Sequence, residues 1–139
     1  MIRNRRLEAW FFVFAYAGFI FYLSSQSAPL APLARFEFFR SLEKYPIDKL
    51  FHIVEYTVLG VLLIRAAVLE SGTAGTLSMG GIAAVWIAGV LYGYSDEWHQ
   101  RFVPGRQYDM TDWVADMIGI SIGIYSWLTR YKKGNKVYA

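Results

Sequence analysis

The sequence predicts an all-α fold, an integral membrane bundle of four transmembrane helices that forms one domain over residues 1–139. The chain is long enough for a single domain, 55% of its residues are apolar and only 18% are charged. Soluble domains carry about 25% charged residues. The apolar residues fall into four long runs, which we interpret as helices at about 7–23, 48–69, 77–97 and 109–130.

Each run has an apolar core that is long enough to cross a bilayer. The cores are 17 to 20 residues long and comprise Leu7 to Leu23, Leu50 to Leu69, Leu77 to Tyr94 and Met110 to Leu128. The hydrocarbon interior of a bilayer needs roughly 17–25 helical residues. A soluble protein of this size could bury one such helix completely, but it has too few remaining residues to cover four.

The first run has a second interpretation as a signal peptide, because three arginines precede it and the segment Ala28 to Ala31 follows it. The core of this run is rich in aromatic side chains, namely Trp10, Phe11, Phe12, Phe14, Tyr16, Phe19, Phe21 and Tyr22. Signal peptides favour simpler aliphatic runs. We therefore interpret the first run as a membrane helix.

Basic residues predict the orientation of the bundle. They cluster at the two ends of the chain, with Arg3, Arg5 and Arg6 before the first run and Arg130, Lys132, Lys133 and Lys136 after the last. Four crossings place both ends on one side, and the positive-inside rule makes that side cytoplasmic. With Arg65, eight basic residues lie on that side and six lie in the outer loops. We interpret the net charge of +3 as this orienting signal and expect no nucleic-acid partner.

The polar residues converge on the outer ends of three helices. The second helix begins with Asp48, Lys49, His52, Glu55 and Tyr56, the third ends with Asp96, Glu97, His99 and Gln100, and the fourth begins near Asp109, Asp112 and Asp116. Seven of the eleven acidic residues and both histidines lie in these patches. An ionised carboxylate inside a membrane is costly, so these side chains should face the interior of the bundle. The sequence therefore predicts a polar pocket between the second, third and fourth helices that opens to the outer surface.

Two strings in these patches resemble the VanZ-like family. They are Asp48-Lys49-x-x-His52-x-x-x-Tyr56-x-x-x-Gly60 and Asp96-Glu97-x-His99-Gln100-x-Phe102-x-Pro104-Gly105-Arg106-x5-Asp112-x-x-Ala115-x-x-x-Gly119. The string Phe21-Tyr22-Leu23-Ser24-Ser25-Gln26-Ser27 adds to the resemblance, which spans nearly the whole chain. Asp116 departs from the family pattern, which often has asparagine there. The family takes its name from a member linked to teicoplanin resistance, so the resemblance implies the bacterial cell envelope and its cytoplasmic membrane.

The predicted pocket allows two classes of function. As a binding or modulating protein, the chain would recognise an amphiphilic envelope molecule such as a lipid, a cell-wall precursor or a glycopeptide. Its ligand-binding residues would be Asp48, Lys49, His52, Tyr56, Asp96, Glu97, His99, Gln100, Arg106, Asp109, Asp112 and Asp116. As a membrane-embedded hydrolase or transferase, it would use catalytic residues among His52, Asp96, Glu97 and Asp112. No G-x-S-x-G elbow surrounds Ser95, the nearest candidate nucleophile.

Metal and cofactor binding is the less favoured interpretation of the same residues. The pairs His52 with Glu55 and Asp96 with His99 have i,i+3 spacing, and together with aspartates of the fourth helix they could hold a divalent cation. This spacing is common by chance, and no H-E-x-x-H string is present. The absence of cysteine also excludes thiolate ligands. We therefore expect no metal and no other cofactor, with a divalent cation as the alternative.

Arginine and glycine add two further expectations. Arg106 could hold a phosphate or carboxylate group of a ligand through its planar guanidinium, or it could neutralise nearby carboxylates together with Arg101. Glycines four residues apart occur at 89 and 93 and again at 119 and 123. Small residues at this spacing let membrane helices approach closely, so both pairs predict tight helix contacts.

Overall fold

The computed structural model describes residues 2–27, 47–72 and 77–135, and the side chains of residues 4–27, 47–72 and 77–130. These residues form four α-helices and contain no strand: α1 Ile2–Ser24, α2 Ile47–Ser71, α3 Met79–Gln100 and α4 Met110–Asn135. The predicted all-α bundle of four helices is confirmed. Three of the six outer basic residues, Arg35, Arg40 and Lys44, lie outside the described residues.

The first and last helices extend beyond the predicted runs into the basic residues at the two termini of the chain. The first begins at Ile2 instead of near residue 7, and the last continues to Asn135 instead of residue 130. Hydropathy marks only the part of a helix that suits hydrocarbon, whereas the backbone hydrogen bonds continue through the flanking basic residues. The start of α3 is fixed by Ser78, whose Oγ accepts a hydrogen bond of 3.1 Å from the N–H of Gly81.

The start of α1 lies beside the end of α2. Nη1 of Arg6 is 3.8 Å from Oε1 of Glu70, and the indole N–H of Trp10 donates to the other oxygen of Glu70 at 3.3 Å. These two helices are therefore antiparallel. On α3 and α4, the indole N–H of Trp113 donates to the carbonyl oxygen of Val90 at 3.1 Å, which pairs the start of α4 with the later part of α3.

At the opposite end of the bundle, the ends of α1 and α3 meet the starts of α2 and α4. Ser25, which follows α1, contacts His99 of α3, and Lys49 of α2 contacts Asp112 of α4. We call this the polar end. The chain therefore runs up, down, up and down, and the start of α1 and the end of α4 share the other end, as the sequence analysis expects for four helices.

The contact between α2 and α4 is the most extensive in the bundle, and α2 also packs against α1 and α3. Glycine makes this contact possible. A Cβ atom added at Gly119 would lie 2.6 Å from the carbonyl oxygen of Ile53, and one added at Gly123 would overlap the carbonyl oxygen of Thr57. The two backbones therefore touch directly, which is the approach that the spacing of Gly119 and Gly123 predicts.

The second glycine pair lies on α3 and has a different role. A Cβ atom at Gly89 would lie 2.7 Å from Cδ1 of Ile120, and one at Gly93 would lie 2.9 Å from Oδ2 of Asp116. These glycines make room for side chains of α4 and do not contact its backbone. Below the polar end, the buried core is formed by Ile20, Tyr56, Leu59, Ile64, Ile120 and Ile124, and a second apolar cluster contains Ala9, Val13 and Ala66.

The outside of the bundle is also apolar. By length and hydropathy, two of the described helices, Asn4–Ser24 and Ile47–Ser71, could cross a membrane. Helices α3 and α4 also expose large apolar side chains in rows of helical spacing, at Ile87 and Leu91 and at Val114, Ile118 and Ile122. Soluble monomers rarely expose contiguous apolar surface of this kind, so the exterior is suited to lipid.

We predict that Gly123→Ala destabilises the protein and that Gly18→Ala does not. The added methyl group at residue 123 would force α2 and α4 apart, and overpacking of this kind costs about 1–3 kcal/mol. Gly18 on α1 is the matched control, since a Cβ atom there meets nothing within 4 Å. The measurement is the thermal midpoint of each variant in mild detergent, followed by circular dichroism. Equal midpoints for the two variants would show that α2 and α4 do not touch through residue 123.

Candidate functional site

The polar end has an exposed rim that is organised by Lys49. Its Nζ lies 3.4 Å from Oδ2 of Asp48, 3.1 Å from Oδ2 of Asp109 and 2.6 Å from Oδ1 of Asp112. The exposed fraction of these carboxylate side chains falls from 57% for Asp48 to 44% for Asp109 and 13% for Asp112. We call Asp48, Lys49 and Asp109 the rim. One ammonium group thus joins the starts of α2 and α4 and lies between water and the interior.

Asp109 lies immediately before α4 and caps that helix. Its Oδ1 accepts hydrogen bonds from the backbone N–H of Thr111 at 2.8 Å and from the hydroxyl of Thr111 at 2.7 Å. These bonds to Thr111, together with the ammonium of Lys49, lower the pKa of Asp109 to about 2. The positive end of the helix dipole favours the same charge. Asp109 is therefore a permanent anion at physiological pH.

His52 lies about one turn further in and faces two aspartates of α4. Its Nδ1 is 2.8 Å from Oδ1 of Asp116, and its Nε2 is 3.9 Å from Oδ2 of Asp112. The His52 side chain is 10% exposed, and the Asp116 side chain is fully buried. In its neutral form, a histidine that donates from Nδ1 to a carboxylate keeps a lone pair at Nε2. The pair with Asp116 therefore fixes the ring and leaves Nε2 available to a ligand or a proton.

Helix α3 adds two buried carboxylates. Glu97 is completely buried, and its Oε2 accepts a hydrogen bond of 3.1 Å from the backbone N–H of Asp109. The side-chain amide of Gln100 donates to Glu97 and to Asp96, each at 3.3 Å. We call the innermost set the floor; it consists of His52, Glu97, Asp112 and Asp116. Among the donors that bond Glu97, none carries a positive charge.

Asp116 of the floor and Tyr56 beside it are completely buried, and each has an oxygen atom without a hydrogen-bond partner among the described residues. These atoms are Oδ2 of Asp116 and the hydroxyl of Tyr56. Both side chains lie against Gly93, where an added Cβ atom would be 2.9 Å from Oδ2 of Asp116 and 3.2 Å from Cε1 of Tyr56. The Tyr56 ring is nearly parallel to that of His52, with the centroids 6.5 Å apart. Leaving a buried oxygen without a hydrogen bond costs about 1–3 kcal/mol. Such atoms are therefore rare in folded proteins, and two of them side by side indicate a functional site.

Helix α1 contributes to the polar end, although the sequence analysis placed the pocket among the other three helices. Oγ of Ser25 lies 3.1 Å from Nε2 of His99, and the His99 ring packs on Phe21 with centroids 4.4 Å apart. Nε of Arg106 donates to the carbonyl oxygen of Gln26 at 3.1 Å. The string that closes the first helix contained this signal, but the sequence analysis used it only for the family resemblance.

The predicted site residues therefore divide into two groups. The first group lies along the interface of α2, α3 and α4 and comprises Asp48, Lys49, His52, Tyr56, Glu97, Asp109, Asp112 and Asp116, with Gln100 bonded to Glu97. The second group comprises Asp96, which bonds to Gln100 of its own helix, His99, which contacts Phe21 of α1 and Ser25 after it, and Arg106, which contacts Gln26. Ser95 is exposed and donates to the carbonyl oxygen of Tyr92 in its own helix, so it does not face His52. The sequence analysis considered Gly93 only for helix contacts and did not predict that its missing side chain makes room for Asp116.

The charge balance also differs from the expected one. Arg101 stacks on the ring of Trp98, with its guanidinium carbon 4.6 Å from the ring centroid. Lys49 makes the ion pairs that the sequence analysis considered for Arg101 and Arg106. Glu55 is half-buried and is within electrostatic range of His52 and Arg106. Lys49 is therefore the cation that pairs with the aspartates of the rim and with Asp112.

The floor could also coordinate a metal. His52, Glu97 and Asp116 each place one potential ligand atom within 4.8 Å of the others. Imidazole nitrogen and carboxylate oxygen are common ligands of divalent first-row metals. The sequence analysis considered pairs within one helix, His52 with Glu55 and Asp96 with His99. With aspartates of the fourth helix these pairs also drew on three helices, but the structure brings Glu97 to His52 and Asp116 in place of Glu55, Asp96 and His99.

We predict that Lys49→Met lowers stability more than Arg101→Met. Loss of Lys49 leaves Asp112 without its cation in a site that is only 13% exposed, whereas Arg101 stacks on an exposed ring. The measurement is the thermal midpoint in mild detergent. The double variant Lys49→Met/Asp112→Asn should recover most of the loss, since it removes the stranded charge. A double variant as unstable as Lys49→Met alone would contradict this account.

Comparison with known proteins supports the resemblance seen in the sequence. No curated protein and no solved structure matches the chain. The model of the VanZ/LLP1 family matches residues 7–131, a range that contains the rim, the floor and all four helices except a few terminal residues. This match and the two strongly apolar helices indicate a membrane protein. The chain belongs to the VanZ/LLP1 family.

Proposed function

We propose that the protein is a multi-pass protein of the bacterial cytoplasmic membrane that binds the polar head of an amphiphilic envelope molecule at its polar end. The molecule would be a lipid, a cell-wall precursor or a glycopeptide. Both termini would lie in the cytoplasm and the rim would face outward. The outer-leaflet position follows from the positive-inside rule applied to the two ends of the chain.

The observation that carries this proposal is a set of buried charges inside a bundle with an apolar exterior. Asp116 and Glu97 have no exposed surface, although each is an ionisable group on a helix that exposes apolar side chains on its other face. Charged residues in membrane helices are costly and usually mark a binding or transport site. The floor is therefore better explained as a site than as a device for stability.

The shape of the polar end suits an amphiphile. The rim is open to water, while exposed apolar side chains flank it at Trp98, Phe102 and Met110. A hydrocarbon chain could lie against these side chains while its head group reaches the rim. Carboxylates outnumber cations there, so a head group that donates hydrogen bonds, through hydroxyl, amide or ammonium groups, complements the site best.

A membrane-embedded enzyme is the second candidate, and one contact favours it. The 2.8 Å contact between His52 and Asp116 resembles a general base that is oriented by a carboxylate. The free Nε2 of His52 could then accept a proton from a water molecule that attacks an ester, amide or phosphate of the bound head group. Within the described residues Ser95 faces away, so this mechanism uses water as the nucleophile.

We predict that the rim side of the bundle faces outward. The chain has no cysteine, so a thiol reagent labels only the single cysteine that is introduced. Gln107→Cys, at an exposed position near the rim, should react with a membrane-impermeant thiol reagent in intact cells. Asn4→Cys, at an exposed position near the start of α1, is the matched control and should react only after the membrane is broken. The reverse pattern would overturn the orientation and, with it, the outer-leaflet ligand.

We also predict that an envelope amphiphile co-purifies with the protein and is lost when the rim is altered. Native mass spectrometry of the protein released from mild detergent should show an adduct of lipid-like mass on the wild type. The double variant Lys49→Met/Asp112→Asn, which we expect to be folded, should lose this adduct because it removes the ion pair that joins the rim to the floor. Arg101→Met should keep it.

Three results would separate the candidates. An adduct that persists in the double variant would place the amphiphile elsewhere on the bundle. No adduct on the wild type, even after incubation with a polar lipid extract from bacteria, would contradict the proposed function. Conversion of lipids in that extract by the wild type, abolished in His52→Gln, would favour the enzyme over the binding protein.

A further inference from the structure

We propose that the floor is a binding site for one divalent first-row transition-metal ion, held by His52 of α2, Glu97 of α3 and Asp116 of α4. This site is independent of the amphiphile: a metal could bind there whether or not the rim takes a lipid head group. It would also link three helices that are separate in the sequence.

The geometry is the first argument. One ligand atom from each of the three side chains lies within 4.8 Å of the other two. Nitrogen and oxygen ligands lie about 2.0–2.2 Å from a bound zinc ion, so they are roughly 3.3–3.6 Å from one another in a tetrahedral site. Side-chain movements of about 1 Å would therefore complete the site. Asp112, whose Oδ2 is 3.9 Å from Nε2 of His52, faces the opposite ring nitrogen and could fix the orientation of the ring.

The charge distribution is the second argument. Lys49 pairs with Asp112, and His52 pairs with Asp116, but the hydrogen-bond donors to Glu97 are the neutral amide of Gln100 and the backbone N–H of Asp109. Glu97 is completely buried, and an ionised carboxylate in such a place needs a positive partner. A divalent cation between Glu97 and Asp116 would supply it.

The unpartnered oxygen of Asp116 is an independent observation that points to a ligand. Asp116 is fully buried; its Oδ1 lies against His52, while its Oδ2 has no hydrogen-bond partner among the described residues. The same carboxylate belongs to the group of three potential ligands. A bound cation would satisfy this oxygen. It would bind Nδ1 of His52 on the side that faces Asp116, while Asp112 lies nearer to Nε2, the other ring nitrogen, where a carboxylate fixes the ring in many metal sites.

The ligand set selects the kind of metal. One imidazole and two carboxylates favour Mn²⁺, Fe²⁺ or Zn²⁺ over Ca²⁺ and Mg²⁺, which prefer oxygen ligands alone. The ion would enter from the rim, where Asp48 and Asp109 attract cations and Lys49 lies over the entrance. The alternative is that a proton on one of the floor carboxylates, and not a metal, balances the charge.

Metal titration of the untagged wild-type chain in mild detergent, after treatment with EDTA, tests the proposal. We expect isothermal calorimetry with Mn²⁺ and with Zn²⁺ to show one saturable site per chain, and the thermal midpoint to rise with metal concentration. His52→Gln and Glu97→Gln should each weaken binding at least tenfold. His99→Gln is the matched control, because His99 is the other of the chain's two histidines and it contacts α1 instead of the floor.

Pulsed electron paramagnetic resonance of Mn²⁺ bound to the protein keeps the test decisive if a floor variant fails to fold. The wild type and His99→Gln should both show nitrogen coupling from a ligated imidazole, which assigns the ligand to His52. No saturable binding by the wild type would overturn the proposal and favour the proton. The proposal would also be overturned if Mn²⁺ bound without nitrogen coupling, or if the coupling disappeared in His99→Gln. Full metal affinity in folded His52→Gln and Glu97→Gln would overturn it as well. None of these results depends on the amphiphile.

Discussion

The close contact between the backbones of α2 and α4 fixes the position of the functional groups. Gly119 and Gly123 place α4 against Ile53 and Thr57 of α2, and this sets the relative height of two parallel helices. At that height, Lys49 meets Asp112 and His52 meets Asp116 one turn deeper. A shift of either helix by one residue would break both contacts, since side chains on a helix rotate by about 100° per residue. Packing that involves no polar group therefore determines the arrangement of the charges.

Helix α3 then completes the site by leaving space. Gly93 offers no side chain where the Asp116 carboxylate and the Tyr56 ring need room, and Glu97 follows one turn later on the same helix. The floor is thus assembled from a histidine and three carboxylates on three helices, with a glycine that permits their approach. Stability alone does not require such a set, since buried ion pairs are often no more stable than apolar residues of similar volume. This is why we attribute the floor to binding.

The sequence predicted the four helices and most of the site, because the apolar runs are long and the polar residues recur at helical spacing. It could not predict which groups pair. His52 has several acidic residues at suitable spacing, and only the height of α2 against α4 selects Asp116. The site also includes α1, which lacks acidic residues near its end, so that the signal was limited to Ser25 and Gln26. Likewise, the sequence indicated Lys49 as a site residue but could not show that its ammonium group forms ion pairs with three aspartates. Such pairings depend on distances between elements, which periodicity does not contain.

The apolar clusters beneath the floor have a consequence for what the protein can sense. Ile64, Ile124 and Leu59 fill the interior between the floor and the other end of the bundle, where Ala9, Val13 and Ala66 pack together. Hydrocarbon of this kind conducts neither protons nor ions, so in the proposed orientation the floor would exchange them with the outer compartment only. Its protonation and occupancy would follow the composition of that compartment and ignore the other. Among the described residues, this apolar packing beneath the floor fits a binding site open at one end better than a path through the bundle.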